Sequence, residues 1–375
     1  MKNIFYNLIT FLVCMNVNSA IAQDTHPEPK TLAIGTTAPD FKLIGVDDKT
    51  YSLSSFASAK VLVIVFNCNH CPTAQAYQDR LIDIKKQYAS KGVAMVVISS
   101  NSAKSLNLWE QGWSDLGDEL EDMKTRAKDK GFNFPYLYDG ADQKTAIAYG
   151  PQATPHAYVF DQNHKLQYVG CIDASMENGK AETLRNAIDA ILEGRKIETP
   201  VTKVFGCSTK WAWKTEGTKK LYKQWAELPV TIDDIDAPGI VELIKNKSDK
   251  LRLINVWATW CGPCVLEFPD LVTIDRIYRS RQFEFISISA DKLSKKDNVL
   301  KLLQKNEASN KNYIFNSDNN TSLVNAVDPQ WSGALPYTLL VEQGGKIIYR
   351  TQGAIDMVQM RKLIVNNPYI DGVTK

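Results

Sequence analysis

The segment Trp257-Ala258-Thr259-Trp260-Cys261-Gly262-Pro263-Cys264 holds two thiols two residues apart, directly after an apolar run. Where such a pair opens a helix, the free N–H groups and partial positive charge of the helix N-terminus favour the thiolate of the first cysteine. A thiolate attacks a disulfide, and a second thiol nearby then displaces the product. Cys261 and Cys264 are therefore predicted to be a reversible redox dithiol. Phe66-Asn67-Cys68-Asn69-His70-Cys71-Pro72 is a weaker echo, with a histidine between the cysteines.

The elements needed to place both pairs recur in each half. The apolar runs 61–66 and 251–257 read as buried strands, followed by helical patterns over 73–88 and 265–279. Second strands are predicted at 93–99 and 283–289. The steps Thr154-Pro155 and Leu335-Pro336 each lead into a strand ending near 160 and 341. Polar turns, further strands and closing helices over 181–192 and 357–366 complete each half. Aligned on their cysteine pairs, the halves form an internal repeat. Strands alternating with helices predict an α/β fold, with a central mixed sheet covered by helices on both faces.

A chain of 375 residues exceeds one ordinary core and suits two domains. Its net charge of +2 arises from nearly balanced acids and bases, so no nucleic-acid partner is expected. Lys2, an apolar stretch from Ile4 to Val17, and Ala20-Ile21-Ala22 read as a cleaved signal peptide over residues 1–22. That predicts a periplasmic or secreted protein; an uncleaved anchor or lipidation at Cys14 is the alternative. Cleavage leaves six of the seven cysteines, too few to staple so long a chain. The predicted divisions are 32–194, a linker over 195–231 partly packed through its tryptophans, and 232–375.

The tryptophan-rich dithiol motif, with Pro336 downstream, resembles the thioredoxin superfamily. Cys264-Val265-Leu266-Glu267-Phe268-Pro269 is similar to the extracytoplasmic TlpA and ResA branch, over roughly residues 232–370. Residues 32–213 resemble the peroxiredoxin-like AhpC/TSA redoxins. Pro39-Asp40-Phe41, Cys68 to Pro72, Thr154-Pro155-His156 and Gly206-Cys207-Ser208-Thr209-Lys210-Trp211 carry that likeness. Together these imply two thioredoxin-like folds in tandem and a thiol–disulfide oxidoreductase of the protein-disulfide reductase type.

The resemblance implies that Cys261 attacks a substrate disulfide and Cys264 resolves the mixed disulfide. Leu335-Pro336 would be a cis-proline step facing substrate, with Trp260 lining the groove; Thr154-Pro155 is the counterpart in the first half. Cytoplasmic thioredoxins carry a buried aspartate where this chain has Asn255. Glu267, three residues after Cys264, is the substitute proton handler, on a neighbouring helix face. By analogy with oxidising members, His70 would tune the Cys68/Cys71 thiolate and make that pair the more oxidising. Such differences span ~90 mV, roughly 4 kcal/mol for two electrons.

No organic cofactor is called for, because cysteines carry the electrons and no Gly-rich dinucleotide fingerprint is present. Predicted partners are protein or small-molecule disulfides and an upstream thiol donor such as a membrane thiol carrier. Two other functions stay open. One is peroxide reduction at Cys68 or Cys71, recycled by the second half, although the residue three before Cys71 is Cys68 rather than threonine. The other is a metal-binding maturation factor using Cys68, His70 and Cys71. Cys171 and Cys207 read as a structural pair or as two idle thiols, with Cys171 as a third reactive thiol the alternative.

Overall fold

The computed structural model describes His26, residues 28–174, 179–368 and Ile370; the predicted signal peptide lies outside the described residues. The first half forms a seven-stranded mixed sheet in the order β2-β1-β5-β4-β3-β7-β8. Its strands are β1 (Lys42–Gly45), β2 (Thr50–Ser52), β3 (Val61–Asn67), β4 (Val93–Ser99), β5 (Tyr136–Tyr138), β7 (His156–Asp161) and β8 (Leu166–Gly170). Two short strands, β6 (Ala153–Thr154) and β9 (Cys207–Ser208), pair separately. The second half forms a six-stranded sheet, β10-β13-β12-β11-β14-β15. These are β10 (Asp233–Ile235), β11 (Leu251–Trp257), β12 (Phe283–Ser289), β13 (Lys311–Phe315), β14 (Tyr337–Val341) and β15 (Ile347–Gln352).

The central strands are apolar on both faces because helices cover both. In β3, Val61, Val63 and Val65 pack under α2 (Gln78–Tyr88) and α5 (Glu182–Leu192), through Leu81, Ile84, Leu184 and Ile188. Leu62, Ile64 and Phe66 alternate to the other side, where Tyr149 of α4 (Lys144–Tyr149) meets them. In β11, Leu251 and Leu253 lie under α8 (Gly262–Tyr278) and α11 (Met357–Val365). Ile254 and Val256 face α7 (Ala237–Ile244) and α10 (Asn320–Val327). Trp257 and Phe268 share a further cluster with α9 (Lys296–Lys305), their rings 4.6 Å apart. Trp257 is thus core.

The helical pattern after the first cysteine pair is interrupted. A short α1 (Pro72–Ala76) precedes α2, with Tyr77 between them. The 195–231 stretch also carries more structure than a linker: β9 and α6 (Thr215–Ala226) lie in it, and Trp211 is buried against the first sheet's core with Trp213 stacked on it at 5.0 Å. Among the described residues, no helix is long and apolar enough to cross a membrane.

The halves touch through residues 108–114 and α3 (Leu120–Lys130) of the first and the far ends of α8 and α11 of the second. Tyr278 donates its hydroxyl to the Ser114 carbonyl (3.2 Å), Arg361 donates to the same carbonyl (3.2 Å), and Lys362 pairs with Asp129 at 3.1 Å. Gly112 fits here because a Cβ would lie 2.8 Å from the Ile277 carbonyl oxygen. The contact is at the C-terminal end of α8. Cys261 is at the opposite end of this 17-residue helix, about 24 Å along its axis.

Candidate functional site

Strand register decides how the two cysteine pairs correspond. In the first sheet β3 runs beside β4 from Val61↔Val93 to Asn67↔Ser99, and Phe66 faces His156. In the second, β11 runs beside β12 from Leu251↔Phe283 to Trp257↔Ser289, and Val256 faces Tyr337. Asn67 and Trp257 therefore hold the same place, and four residues on from each come Cys71 and Cys261. Both cysteines are helix N-caps, of α1 and α8. The alignment on cysteine pairs is thus three residues out of register: Cys68 corresponds to Ala258, His70 to Trp260, and Ala74 to Cys264.

In the second centre Cys261 and Cys264 form a disulfide. Cys261 Sγ accepts the backbone N–H of Cys264 at 3.3 Å, placing the helix terminus on that sulfur. Cys264 is 1% exposed and Cys261 7%, whereas Trp260 beside them is 70% exposed. Leu335-Pro336 is a cis step. Leu335 and Trp260 border a cavity of about 230 Å³ that also reaches Asp291 and Trp331.

Glu267 is buried on α8. Its Oε1 accepts Asn255 Nδ2 at 3.1 Å and its Oε2 accepts the Ile355 N–H at 3.0 Å. Burial pushes its pKa up, and these two hydrogen bonds only partly oppose that. Asn255 also donates to Thr338 Oγ1 at 3.0 Å, so the carboxyl, the amide and β14 form one buried polar string.

In the first centre Cys68 and Cys71 are both fully buried free thiols. Thr154, before the cis Pro155, touches both: its Oγ1 lies 3.0 Å from Cys68 Sγ and its carbonyl oxygen 3.3 Å from Cys71 Sγ. Cys207 joins them, its N–H donating to Cys71 Sγ at 3.3 Å. Hydrogen bonds from the Cys207 and Cys68 thiols and the Ala74 N–H pull Cys71 well below the ordinary thiol range, against burial. Burial first, then the hydrogen bond to Cys71 and the Asp118 charge, push Cys68 up; Cys207 is pushed up chiefly by its hydrogen bond with Cys71. Of the three, Cys71 is the thiol that these contacts shift towards ionisation.

His70 faces Asp118, with Nδ1 2.7 Å from Oδ2 and both side chains essentially without exposure. Asp118 also accepts the Asn69 and His70 N–H groups (2.8 and 3.1 Å) and Asn101 Nδ2 (3.0 Å). Burial by itself would lower the His70 pKa, but the charge and hydrogen bond of Asp118 outweigh it and the net shift is up. For Asp118 burial acts upward, and the His70 charge with the surrounding donors brings the net shift down. His156 stands apart, its Nδ1 accepting the Gln152 N–H at 3.3 Å and its pKa lowered to about 3 by burial.

Cys68, Cys71, His70, Thr154 and Pro155 are therefore brought to one place, and Cys261, Cys264, Trp260, Leu335 and Pro336 to another. Asp118 and Cys207 were missed as members of the first. Asp118 lies 48 residues from His70 in an irregular segment, and sequence carries no signal for it. Cys207 sits within the quoted Gly206–Trp211 motif, which was a usable sign. It does not pair with Cys171, whose Sγ lies 3.3 Å from Thr202 Oγ1 instead.

Thiol-disulfide oxidoreductase ResA of Geobacillus thermodenitrificans is 23% identical over 164 residues, 43% of this chain and 83% of that protein. Among solved structures, an uncharacterized conserved protein of Geobacillus kaustophilus is 37% identical, covering 49% of this chain and 95% of its own, with a TM-score of 0.44. A hypothetical protein of Sinorhizobium meliloti 1021 is 33% identical over 49% of this chain and 97% of its own, with a TM-score of 0.43. The Redoxin family model matches residues 33–187 and again 236–362. Because those two matches span most of the chain, the protein belongs to the Redoxin family.

Proposed function

We propose that the protein is an extracytoplasmic thiol–disulfide oxidoreductase that reduces protein disulfides through Cys261 and Cys264. The observation that carries this is Cys261 at the N-cap of α8, its sulfur on the Cys264 N–H, beside exposed Trp260 and the Leu335 cavity. Cys261 thiolate attacks one sulfur of the substrate disulfide and expels the other as a thiol. Cys264 then attacks Cys261 Sγ, expels the second substrate thiol and leaves the Cys261–Cys264 disulfide. Glu267 takes the Cys264 proton as that attack proceeds. Trp260, Leu335 and Pro336 receive the substrate chain. A thiol donor at the membrane restores the dithiol, and the signal over residues 1–22 directs export.

Cys68 and Cys71 form the second redox pair, with Cys71 as its thiolate and His70, held by Asp118, beside it. In the reading of two tandem domains, the first half is a redoxin and the second a ResA-like reductase. With about 24 Å of α8 between Cys261 and the interface, relay between the pairs runs by domain movement or between chains. The test is reduction of insulin disulfides by the full chain with dithiothreitol as donor. Wild-type protein accelerates it, and Cys261→Ser abolishes the acceleration; full activity in that variant would refute the assignment.

One observation favours a second reading. Cys68, His70 and Asp118 each place a donor atom within 4.8 Å of the others, and His70 Nε2 is buried without a hydrogen-bond partner among the described residues. Thiolate, imidazole and carboxylate suit zinc or copper. Stoichiometric Zn²⁺ or Cu⁺ bound by reduced protein, lost in His70→Ala and kept in Cys261→Ser, would support it. Absence of binding leaves the redox reading alone.

A further inference from the structure

Cys207 hydrogen-bonds to Cys71 but forms no covalent bond in the chemistry so far. It lies on β9, antiparallel and opposite Thr154. It packs against Cys68, Cys71 and Ala74, and its N–H reaches Cys71 Sγ. The approach depends on Gly206, whose φ is +138° and where a Cβ would lie 2.0 Å from the Thr154 carbonyl oxygen. The Thr154 hydroxyl closes the pairing from the other side, donating to the Cys207 carbonyl at 3.5 Å. Cys68 and Cys71 are wholly buried, whereas Cys207 is partly exposed between exposed Gly206 and Ser208. A reagent arriving from solvent therefore meets Cys207 before either member of the pair.

We propose that Cys207 is a shuttle thiol, carrying electrons between an external protein dithiol and the buried Cys68–Cys71 pair. Starting from the Cys68–Cys71 disulfide, Cys207 gives up its proton and attacks Cys71 Sγ. The Cys71–Cys207 bond forms, the Cys68–Cys71 bond breaks, and Cys68 leaves and takes a proton. The external dithiol then attacks Cys207 Sγ and expels Cys71 as its thiolate. Its second thiol attacks the resulting mixed disulfide and releases Cys207. With Cys207 released as a thiol and Cys71 left as its thiolate, the protein gains two electrons and one proton, the second proton of the external dithiol goes to solvent, and that dithiol becomes a disulfide. Cys71 suits the middle position, because a thiol that ionises readily also leaves readily. In the opposite direction the same steps oxidise the pair.

The proposal rests on Cys68 and Cys71 being a redox pair, and its test is read apart from insulin reduction at Cys261. Full-length Cys68→Ser protein is oxidised with glutathione disulfide, alkylated, digested and mapped by mass spectrometry. The expected product is a Cys71–Cys207 linked peptide. Recovery of Cys71 and Cys207 as separate alkylated or glutathionylated peptides overturns the proposal. In the otherwise intact chain, Cys207→Ser is expected to slow dithiothreitol reduction of the Cys68–Cys71 disulfide at least tenfold, while Cys171→Ser leaves it unchanged. Equal or faster reduction in Cys207→Ser would make β9 a mere cover and overturn it. Failure of a Cys68–Cys71 disulfide to form at all overturns the underlying redox reading as well.

Discussion

Asn255 donates its side-chain amide to Glu267 at 3.1 Å, so the residue that stands in place of the thioredoxin aspartate holds the carboxyl proposed as the proton acceptor. Burial raises the Glu267 pKa, which brings its ionisation nearer the operating pH of a proton acceptor. As pH rises through that raised value the carboxylate forms, and release of substrate from Cys261 speeds up. Glu267→Gln is expected to slow single-turnover release by about 100-fold and to remove this limb of the pH profile. Stopped-flow measurement of mixed-disulfide decay across pH checks both. An unaltered profile removes Glu267 from the mechanism.

Trp260 is 70% exposed beside the dithiol, so it contributes little to folding and is available to substrate. Trp260→Ala is expected to raise KM for a protein disulfide about tenfold, on the order of 1.4 kcal/mol, with kcat and melting temperature near wild type. A fall in kcat at constant KM would give the indole a different role.

The His70–Asp118 pair sets a pH window for stability. Asp118 is lowered from its ordinary 3.8, so its contribution is present above that value and lost as pH falls through the lower folded one. His70 is raised from 6.5, so its contribution is present below 6.5 and lost as pH rises through the higher folded one. The pair therefore stabilises most between those two ordinary values. Asp118→Asn is expected to lower stability by about 3–5 kcal/mol near pH 5.5, because it leaves one buried partner uncompensated. Denaturant midpoints at pH 5.5 and at alkaline pH test this, the gap between variant and wild type narrowing at the higher pH.

Gly206 holds β9 against Thr154 at a positive φ. Gly206→Ala is expected to cost about 1–3 kcal/mol and to displace β9 from Cys71. Iodoacetamide labelling of Cys71 should then be at least tenfold faster, as followed by peptide mass. Unchanged labelling would mean that β9 does not govern access.

Two thiols and the backbone N–H groups of Ala74 and Cys207 pull the Cys71 pKa down. Stabilising a thiolate stabilises the reduced form and raises the potential. Equilibration with glutathione buffers, read peptide by peptide, should place the first pair above Cys261/Cys264. The reverse order would remove the basis for electrons flowing from the second pair to the first.

Much of this was legible in the chain, for identifiable reasons. Val61–Asn67 and Leu251–Trp257 announced themselves because strands buried on both faces are largely apolar. Thr154-Pro155 and Leu335-Pro336 marked the strands that face them. The correspondence of the cysteine pairs was not legible. C-x-x-C is a stronger pattern than the end of an apolar run, yet strand register fixes which residue caps the helix. That rule joins Cys71 to Cys261. His70 thus stands in the place of Trp260, turned inward to Asp118 instead of outward to solvent. Asp118 could not be anticipated, since a buried charge partner in an irregular segment leaves no periodic trace. Cys207 was obscured by lysines and glycines that read as linker, although the backbone there pairs with Thr154.

Trapping with Cys264→Ser tests the central claim most directly. Removing the resolving thiol should leave the attack by Cys261 intact and stop the next step. Full-length Cys264→Ser protein mixed with an oxidised protein substrate is predicted to accumulate a covalent adduct through Cys261, dissolved by dithiothreitol and absent in Cys261→Ser/Cys264→Ser. An adduct carried by another cysteine, or none while the wild type still reduces the same substrate, would contradict the account.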